Sequence, residues 1–186
     1  MKVLAIIGSP RKNGNTSAMV NAVCKGATLA GHEAEVIYLT DLNIHGCMAC
    51  GACKTGRVEY CAINDDMQQL YKSIIVADGL VLGSPIYMGQ ITGQMKNFFD
   101  RLYAFMDINN QIHHLPGKKY ITVTASGAPA EAYRSVSEYL NKWLGEFSQM
   151  QLVQNIVGGA LLGPTDAINS QPELLAEAEG AGRALA

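Results

Sequence analysis

Short apolar, β-branched runs alternate with helix-like segments along the chain, and this alternation constrains the fold more than any other feature. The first run, residues 3–7 (Val-Leu-Ala-Ile-Ile), has no polar position, as expected of a strand buried on both faces. Four further strands are predicted at residues 35–39, 79–83, 120–125 and 153–162. Strands that alternate with helices form parallel sheets with right-handed crossovers. The sequence therefore predicts an α/β protein with a five-stranded parallel sheet.

Helices are predicted between and after these strands. Their spans are residues 15–30, 65–76, 92–105, 131–147 and 171–185. Asn15 or Thr16 is expected to cap the first helix, and Gly31 to end it. A long irregular stretch, residues 40–64, follows the second strand and is called the cysteine loop below, because it holds four cysteines. No linker, repeat or low-complexity stretch interrupts the pattern, so residues 1–186 are predicted to form a single domain.

Composition bears on several function classes. The hydrophobic fraction of 48% and the charged fraction of 16% are typical of a compact folded protein. A net charge of −2 provides no large basic field for a polyanion, so nucleic acid binding is not expected. The apolar run near Met1 is too short for a signal-peptide core, and no run of ~18 apolar residues could span a membrane. The sequence predicts a cytoplasmic protein without a membrane partner.

Polar and glycine residues fill the segment that follows the first strand and opens the first helix. Residues 8–17 read Gly-Ser-Pro-Arg-Lys-Asn-Gly-Asn-Thr-Ser. Hydroxyls, backbone N–H groups and the positive end of the helix dipole favour a terminal phosphate there. A P-loop would need four residues between its glycines and then Lys, whereas five separate Gly8 from Gly14 and Asn15 follows. The Rossmann glycine pattern is absent too. The alternative is a polar turn with a helix cap.

The segment Gly-Ser-Pro-Ile-Tyr-Met-Gly follows the third predicted strand. Pro85 stiffens the turn, Tyr87 and Met88 offer a flat, polarisable surface for a conjugated ring, and Gly89 allows close approach of backbone. Ligands of open parallel sheets lie beyond the carboxyl ends of the strands, at the switch point. If the first and third strands are neighbours, both loops face one crevice, and residues 124–127 supply a third wall. The alternative is a proline turn with Tyr87 packed into the core.

Three motifs, GSPRKNGNTS, GSPIYMG and QMKNFFDR (Gln94 to Arg101), resemble the NAD(P)H-dependent FMN reductase branch of the flavodoxin superfamily. The resemblance covers essentially the whole chain. It implies a flavodoxin-like three-layer sandwich with strand order 2-1-3-4-5, one bound FMN, and NAD(P)H as a candidate electron donor. The phosphate would lie at residues 9–17 and the isoalloxazine near residues 85–89.

The residues expected to bind the FMN come from all three loops. They are Ser9, Arg11, Asn13, Asn15, Thr16, Ser17, Pro85, Ile86, Tyr87, Met88, Gly89, Ser126 and Gly127. No catalytic acid or base is predicted, because the flavin itself carries the redox chemistry in proteins of this class. Asp100 and Arg101 are interpreted as helix-surface or ion-pair residues.

Four of the five cysteines lie within fifteen residues, in the pattern C-x₂-C-x₂-C-x₇-C. They are Cys47, Cys50, Cys53 and Cys61. Small residues between the first three let the loop curl around one centre. Four cysteine thiolates are the usual ligands of iron–sulfur clusters, and C-x₂-C-x₂-C is the core of a ferredoxin-type run. A Zn–Cys₄ site, a thiol–disulfide switch and a packed loop without a metal are the alternatives.

The segment CMACGACKTGRVEYCAINDDM resembles the compact cysteine motif of archaeal and bacterial iron–sulfur flavoproteins. The resemblance implies a 4Fe–4S cluster held by Cys47, Cys50, Cys53 and Cys61, and single-electron transfer between the cluster and FMN. It also implies a homodimer or homotetramer with the cysteine loop near a subunit interface. The electron donor and acceptor would be small molecules or proteins. A cluster-free NAD(P)H-dependent FMN or quinone reductase, and a non-enzymatic flavin-holding redox sensor switched by the loop thiols, remain as alternatives.

Three lesser features receive plain structural interpretations. Cys24 is expected to be a small buried residue of the first helix. His113 and His114 are expected to lie in a solvated loop. Asp65 and Asp66 are expected to begin the second helix, where acidic residues suit its dipole.

Overall fold

The computed structural model describes residues 1–185 of the chain. The strands of that part are β1 (Lys2–Ile7), β2 (Glu33–Tyr38), β3 (Gly79–Tyr87), β4 (Gln90–Ile91), β5 (Lys119–Ala125) and β6 (Gln151–Gly158). Its α-helices are α1 (Asn15–Leu29), α2 (Met67–Val76), α3 (Gly93–Arg101), α4 (Arg134–Asn141) and α5 (Pro172–Arg183). Strands and helices alternate as the apolar runs of the sequence predict.

The sheet has the order β2-β1-β3-β5-β6, and all four of these pairings are parallel. With the two-residue β4 set aside, this is the flavodoxin-like order 2-1-3-4-5, so the predicted fold class is confirmed. The sixth strand is a correction to the predicted five. β3 runs on to Tyr87, and a turn at Met88 and Gly89, with φ of 50° and 79°, brings β4 back antiparallel. Two-residue turns with positive φ match the twist of paired strands.

Two apolar layers cover the sheet. On one face, Leu4, Ile6, Leu80 and Leu82 pack against helices α2, α3 and α4. On the other face, the alternate residues of the same strands pack against α1 and α5. A strand with both faces covered has no polar positions, which explains the uninterrupted apolar runs.

The helices α1 and α5 approach each other closely at two glycines. A Cβ atom on Gly26 would lie 1.9 Å from the Glu179 carbonyl oxygen, and one on Gly182 would lie 1.9 Å from the Val23 carbonyl oxygen. Any side chain at either position would therefore force the two backbones apart.

Several predicted helix ends differ from those observed. Gly14, with an extended backbone, is the N-cap of α1, and no side chain of the described residues caps it, so the expected capping by Asn15 or Thr16 is wrong. Gly31 ends the helix as predicted, with a φ of 85°. The predicted helix at residues 131–147 consists of a 3-10 turn, α4 and a π-helical turn at Lys142–Phe147.

Within residues 1–185, no helix combines the length and the apolar character needed to cross a bilayer.

Candidate functional site

The carboxyl ends of β1, β3 and β5 lie side by side at one edge of the sheet. Ile7 is paired with Gly83, and Gly83 in turn with Val123. The backbone N–H of Gly8 donates to the Gly83 carbonyl at 2.8 Å, so the first two loops leave the sheet together. The three segments that the sequence predicts to hold a flavin therefore begin at one place.

The first loop, residues 8–17, is folded around the carbonyl oxygen of Arg11. That oxygen accepts hydrogen bonds from the Ser17 hydroxyl at 3.0 Å and from the Gly14 N–H at 3.1 Å. The Ser9 hydroxyl lies 3.3 Å from the same oxygen and accepts from the Arg11 N–H at 3.2 Å. The loop is thus shaped by its own hydroxyl groups before any ligand is considered.

The N-terminus of α1 has the features of an anion site. Thr16 and Ser17 are buried polar residues of its first turn. No side chain among the described residues caps the helix, so the N–H groups of its first turn have no intrahelical acceptor. Arg11 and Asn13 are exposed in the loop that leads to it. These residues fit a terminal phosphate by the ordinary chemistry of helix N-termini.

Asn15 has a second, structural use. Its side-chain oxygen accepts a hydrogen bond from the Ile168 N–H at 3.0 Å, which fastens the segment before α5 to the start of α1. The sequence predicts Asn15 as a flavin-binding residue and as a candidate cap of the first helix, but not as a partner of Ile168. A contact across 153 positions has no local sequence signal.

Thr92 connects the first loop to α3. Its hydroxyl donates to the Gly8 carbonyl at 2.7 Å and accepts from the Met95 N–H at 3.2 Å, so it also caps α3. The Thr92 N–H donates to the Ser84 hydroxyl at 3.0 Å. A Cβ atom on Gly8 would lie 2.7 Å from the Met95 Cβ, so only glycine fits there. Thr92 was missed as a site residue, although Thr before Gly-Gln-Met is a recognisable cap pattern.

The end of β3 and its turn present side chains to solvent above this loop. Pro85 is buried within the strand and Ile86 is half-buried, whereas Tyr87 is 45% exposed and Met88 fully exposed. Tyr87 is thus not a core residue, which rules out the alternative of a tyrosine packed inside. An exposed aromatic ring beside an exposed thioether, on a rigid hairpin with Gly89, is a surface that can contact a flat conjugated ring.

The loop after β5 forms the third side. The Ser126 N–H donates to the Gly158 carbonyl at 2.8 Å, and its hydroxyl donates to the Ala128 carbonyl at 3.0 Å. A Cβ atom on Gly127 would lie 2.4 Å from a methyl of Leu162, which is itself 77% exposed. The loop is therefore held by hydrogen bonds of Ser126 and has an apolar neighbour.

The cysteine loop leaves β2 and carries the four clustered thiols at varied depth. Cys47 and Cys50 are exposed, whereas Cys53 and Cys61 are half-buried. The Ala49 N–H donates to Cys47 Sγ at 3.4 Å, a contact typical of thiolate ligands. Burial raises the pKa of the Cys53 thiol, although the positive charge of the neighbouring Lys54 opposes this increase.

The donor set fits an iron–sulfur cluster in chemistry but is not gathered into a ligand sphere. Residues 1–185 contain no group of three or more Cys, His, Asp or Glu side chains close enough to hold one metal ion. Four thiols on one loop, one of them already bonded to a backbone N–H, are the right ligands in number and kind.

A buried ion pair joins the two ends of the cysteine loop. Arg101, 1% exposed, donates through Nη1 to Asp65 Oδ2 at 2.7 Å and through Nη2 to Asp65 Oδ1 at 3.0 Å. Its Nη1 also donates to the His45 carbonyl at 2.9 Å. Burial alone would raise the pKa of Asp65, but the hydrogen bonds from Arg101 and the His45 N–H hold it below its usual range.

The remaining side chains singled out by the sequence have structural positions. Asp100 forms an exposed ion pair with Lys96, so the ion-pair interpretation is confirmed for both Asp100 and Arg101. Asp65 lies two residues before α2 rather than in its first turn, and its carboxylate accepts a hydrogen bond from the N–H of Met67, the first residue of the helix. Cys24 is buried, and burial raises its pKa to about 11.

The two histidines lie where the sequence placed them. His113 and His114 are exposed in the loop before β5, and His113 Nε2 lies 3.1 Å from Asp107 Oδ2. They belong to no metal-ligand group within the described chain.

The strand order, the three converging loops and the uncapped N-terminus of α1 are those of a flavodoxin-like fold. Residues 1–160 match the model of the NADPH-dependent FMN reductase family. The chain belongs to this family.

Proteins named iron–sulfur flavoprotein are similar in sequence. One from Methanosarcina thermophila is 37% identical over 101 residues, which is 54% of this chain and 52% of that protein. One from Archaeoglobus fulgidus is 33% identical over 162 residues, which is 87% of this chain and 71% of that protein. For several such relatives, the matched part is only about half of the relative's length.

Solved structures share the fold at low identity. An NAD(P)H:quinone oxidoreductase from Methanothermobacter marburgensis superimposes with a TM-score of 0.77 at 18% identity, covering 100% of this chain and 96% of that one. A flavone reductase gives 0.75 at 22% identity, covering 100% of this chain and 62% of that one. These likenesses show the fold alone.

Proposed function

We propose that the protein binds one FMN at the carboxyl edge of its sheet and transfers electrons through it. The observation that carries the proposal is the convergence of the three loops after β1, β3 and β5, beside the uncapped N-terminus of α1. Family membership supports FMN as the ligand. When bound, FMN supplies the redox chemistry.

The residues of the chain bind and orient the flavin. The first-turn N–H groups of α1, with the buried Ser9 and Ser17 beside them, would bind the phosphate, and the helix dipole would stabilise its charge. Tyr87 and Met88 of the β3–β4 hairpin would contact the ring. Ser126 and Gly127 would border it with small groups.

The four cysteines of the cysteine loop are proposed to hold a 4Fe–4S cluster, making the protein an electron-transfer iron–sulfur flavoprotein. Three observations support this: the spacing of the thiols, the hydrogen bond from the Ala49 N–H to Cys47 Sγ, and the sequence similarity to proteins of that name. A bound cluster would supply single-electron steps. In the chain, Cys47, Cys50, Cys53 and Cys61 would provide thiolates, and the small residues between the first three would let the loop close.

A cluster-free NAD(P)H-dependent FMN or quinone reductase is the second candidate. The family description, NADPH-dependent FMN reductase, favours it. It would use the same flavin site, and the cysteine loop would then only border that site. The redox-sensor alternative differs from both in needing the loop thiols for its response.

Anaerobic purification followed by assays of FMN, iron and acid-labile sulfide separates the candidates. One FMN with roughly four irons and four sulfides per chain supports the iron–sulfur flavoprotein. FMN without iron, together with NAD(P)H oxidation by quinone, supports the reductase. Protein that contains neither FMN nor iron would contradict the proposal. Full reductase activity in a Cys61→Ser variant would exclude the sensor.

A second copy of the chain is proposed as partner, covering an apolar face beside α3. A cavity of about 470 Å³ lies there between α3 and the π-helical turn. Exposed aromatic side chains, Tyr103, Trp143 and Phe147, border it. Apolar surface of this kind is typical of contacts between subunits. We propose a homodimer or homotetramer on this basis.

A further inference from the structure

We propose that Arg101 is a positioning residue, whose guanidinium joins the two ends of the cysteine loop and thereby sets the placement of its thiols. The inference rests on the proposed function in so far as those thiols hold a cluster. Arg101 itself contacts neither the proposed cluster nor the flavin. It acts through His45 and Asp65, which flank the four cysteines along the chain.

The geometry makes Arg101 the common partner of both loop ends. One guanidinium nitrogen reaches the His45 carbonyl, two residues before Cys47, and the same nitrogen and its neighbour hold the carboxylate of Asp65, four residues after Cys61. Asp65 in turn accepts from the His45 N–H at 2.9 Å. Both side chains of the ion pair are essentially inaccessible to water. A planar, bidentate fork of this kind fixes orientation as well as distance.

Further contacts hold the end of the loop next to the same arginine. The Tyr71 hydroxyl donates to the Arg101 carbonyl at 2.8 Å. Gln68 Nε2 donates to the Cys61 carbonyl at 2.7 Å, so α2 fixes the backbone of that cysteine. Burial alone would lower the pKa of Arg101, but the hydrogen bond to Asp65 and the charges of Tyr71 and Cys61 raise it.

One nitrogen of the guanidinium has no partner. Arg101 Nε is buried and has no hydrogen-bond partner among the described residues. A buried N–H without an acceptor costs stability unless a group supplies one. A fixed cation that holds the backbone before Cys47 and the carboxylate after Cys61 has the character of an outer-shell partner, which orients metal ligands without touching the metal.

The test compares Arg101→Gln and Arg101→Lys with wild type, all purified anaerobically with FMN. Asp100→Asn, one residue earlier on α3, removes an exposed ion pair instead of the buried one. Ile156→Ala, buried against the opposite face of the sheet, controls for a general loss of stability. The two readouts are hydrogen exchange of residues 43–66 in the metal-free chain and the rate of cluster loss to a chelator.

The proposal predicts faster exchange confined to residues 43–66 and a roughly tenfold faster cluster loss in the Arg101→Gln variant, the size typical of lost outer-shell partners. Arg101→Lys keeps the charge but not the fork, so it should give an intermediate result. FMN content should stay as in wild type, and both controls should match wild type in the two readouts. A merely structural role would instead make Ile156→Ala behave like Arg101→Gln.

Exchange or cluster loss at the wild-type rate in both Arg101 variants overturns the proposal. If Arg101→Gln does not fold, Arg101→Lys alone decides. If wild type itself contains no iron, the proposed cluster is wrong, and hydrogen exchange of the loop alone then decides the role of Arg101. The two failures are therefore distinguishable.

Discussion

Thr92 and Gly8 are joined by a hydrogen bond of 2.7 Å across 84 positions of the chain, from the Thr92 hydroxyl to the Gly8 carbonyl. The same hydroxyl caps α3. One side chain therefore joins the start of the first loop to the start of α3. The proposed phosphate site depends on this junction although Thr92 lies outside the first loop.

Replacing Thr92 by Val should destabilise the protein and weaken FMN binding. The variant loses a helix cap and leaves the buried Gly8 carbonyl without its donor, which together cost about 2 kcal/mol. Urea unfolding measures the loss of stability, and quenching of FMN fluorescence measures the affinity. Thr92→Ser keeps the hydroxyl and should remain close to wild type. Equal behaviour of the Val and Ser variants would show that the junction has no such role.

Gly83→Ala should be destabilising, whereas Gly93→Ala should not. A Cβ atom on Gly83 would lie 2.4 Å from a methyl of Val20, within the layer that packs α1 on the sheet. Forced repacking of this kind costs roughly 1–3 kcal/mol. At Gly93, in the first turn of α3, no described heavy atom lies within 4 Å of the added methyl. The midpoints of thermal unfolding compare the two, and similar midpoints would contradict the close packing of α1.

The Asp65 carboxylate should contribute to stability in a pH-dependent way. Its folded-state pKa lies below the ordinary 3.8, so its contribution is complete above that value and is lost as pH falls through the lowered pKa. Asp65→Asn leaves Arg101 buried without its counter-ion and should cost about 3–5 kcal/mol at neutral pH. The difference in free energy of unfolding between wild type and variant should decrease below about pH 4.

Urea unfolding at a series of pH values checks this dependence. Asp100→Asn, which removes only an exposed ion pair, should give a small gap at every pH. A gap for Asp65→Asn that stays constant down to the lowest accessible pH would mean that Asp65 is not held ionised by Arg101.

Cys24 should react far more slowly with thiol reagents than the cysteines of the loop. Burial raises its pKa from 9.0 to about 11. At a given pH, its thiolate fraction is therefore roughly 100-fold smaller than that of a thiol whose pKa is 9.0. In metal-free native protein, a disulfide reagent should react fast with the exposed Cys47 and Cys50, and the last, slow phase should belong to Cys24. The slow phase should be absent from Cys24→Ser and become fast in urea. A fast reaction of all thiols would place Cys24 at the surface.

Trp143→Glu should shift the protein to the monomer if the apolar face beside α3 is a contact between copies. A buried, unpaired carboxylate is strongly unfavourable in such a contact. Sedimentation velocity measures the assembly, and Leu29→Glu is the matched control, since Leu29 is 58% exposed at the end of α1 on the opposite side of the sheet. A wild-type assembly state in the Trp143 variant would exclude this face.

The fold could be predicted because its signals are local. Strands that are buried on both faces of the sheet appear in the sequence as apolar runs such as residues 3–7. Gly31 ends α1 with a left-handed backbone, as expected. The three loops of the candidate site could be found because each follows directly after such a strand. Their meeting at one edge then follows from the parallel pairing of β1, β3 and β5.

The parts that could not be predicted depend on partners far along the chain. Arg101 looks like a surface residue of a polar helix until Asp65, 36 positions earlier, is placed beside it. Asn15 looks like a cap until Ile168 takes its oxygen. The β3–β4 hairpin has a turn, Met88-Gly89, whose first residue rarely adopts positive φ, so its sequence gives little warning. The relative positions of the four thiols, which are not gathered into a ligand sphere among the described residues, likewise depend on the conformation of a whole loop.

A fluorescence titration of the protein with FMN tests the central claim most directly. FMN at micromolar concentration should bind with one molecule per chain and lose its fluorescence, and Thr92→Val should shift the curve to higher concentration. Protein that is colourless as purified and leaves FMN fluorescence unchanged would contradict the account, whatever the thiols of the cysteine loop bind.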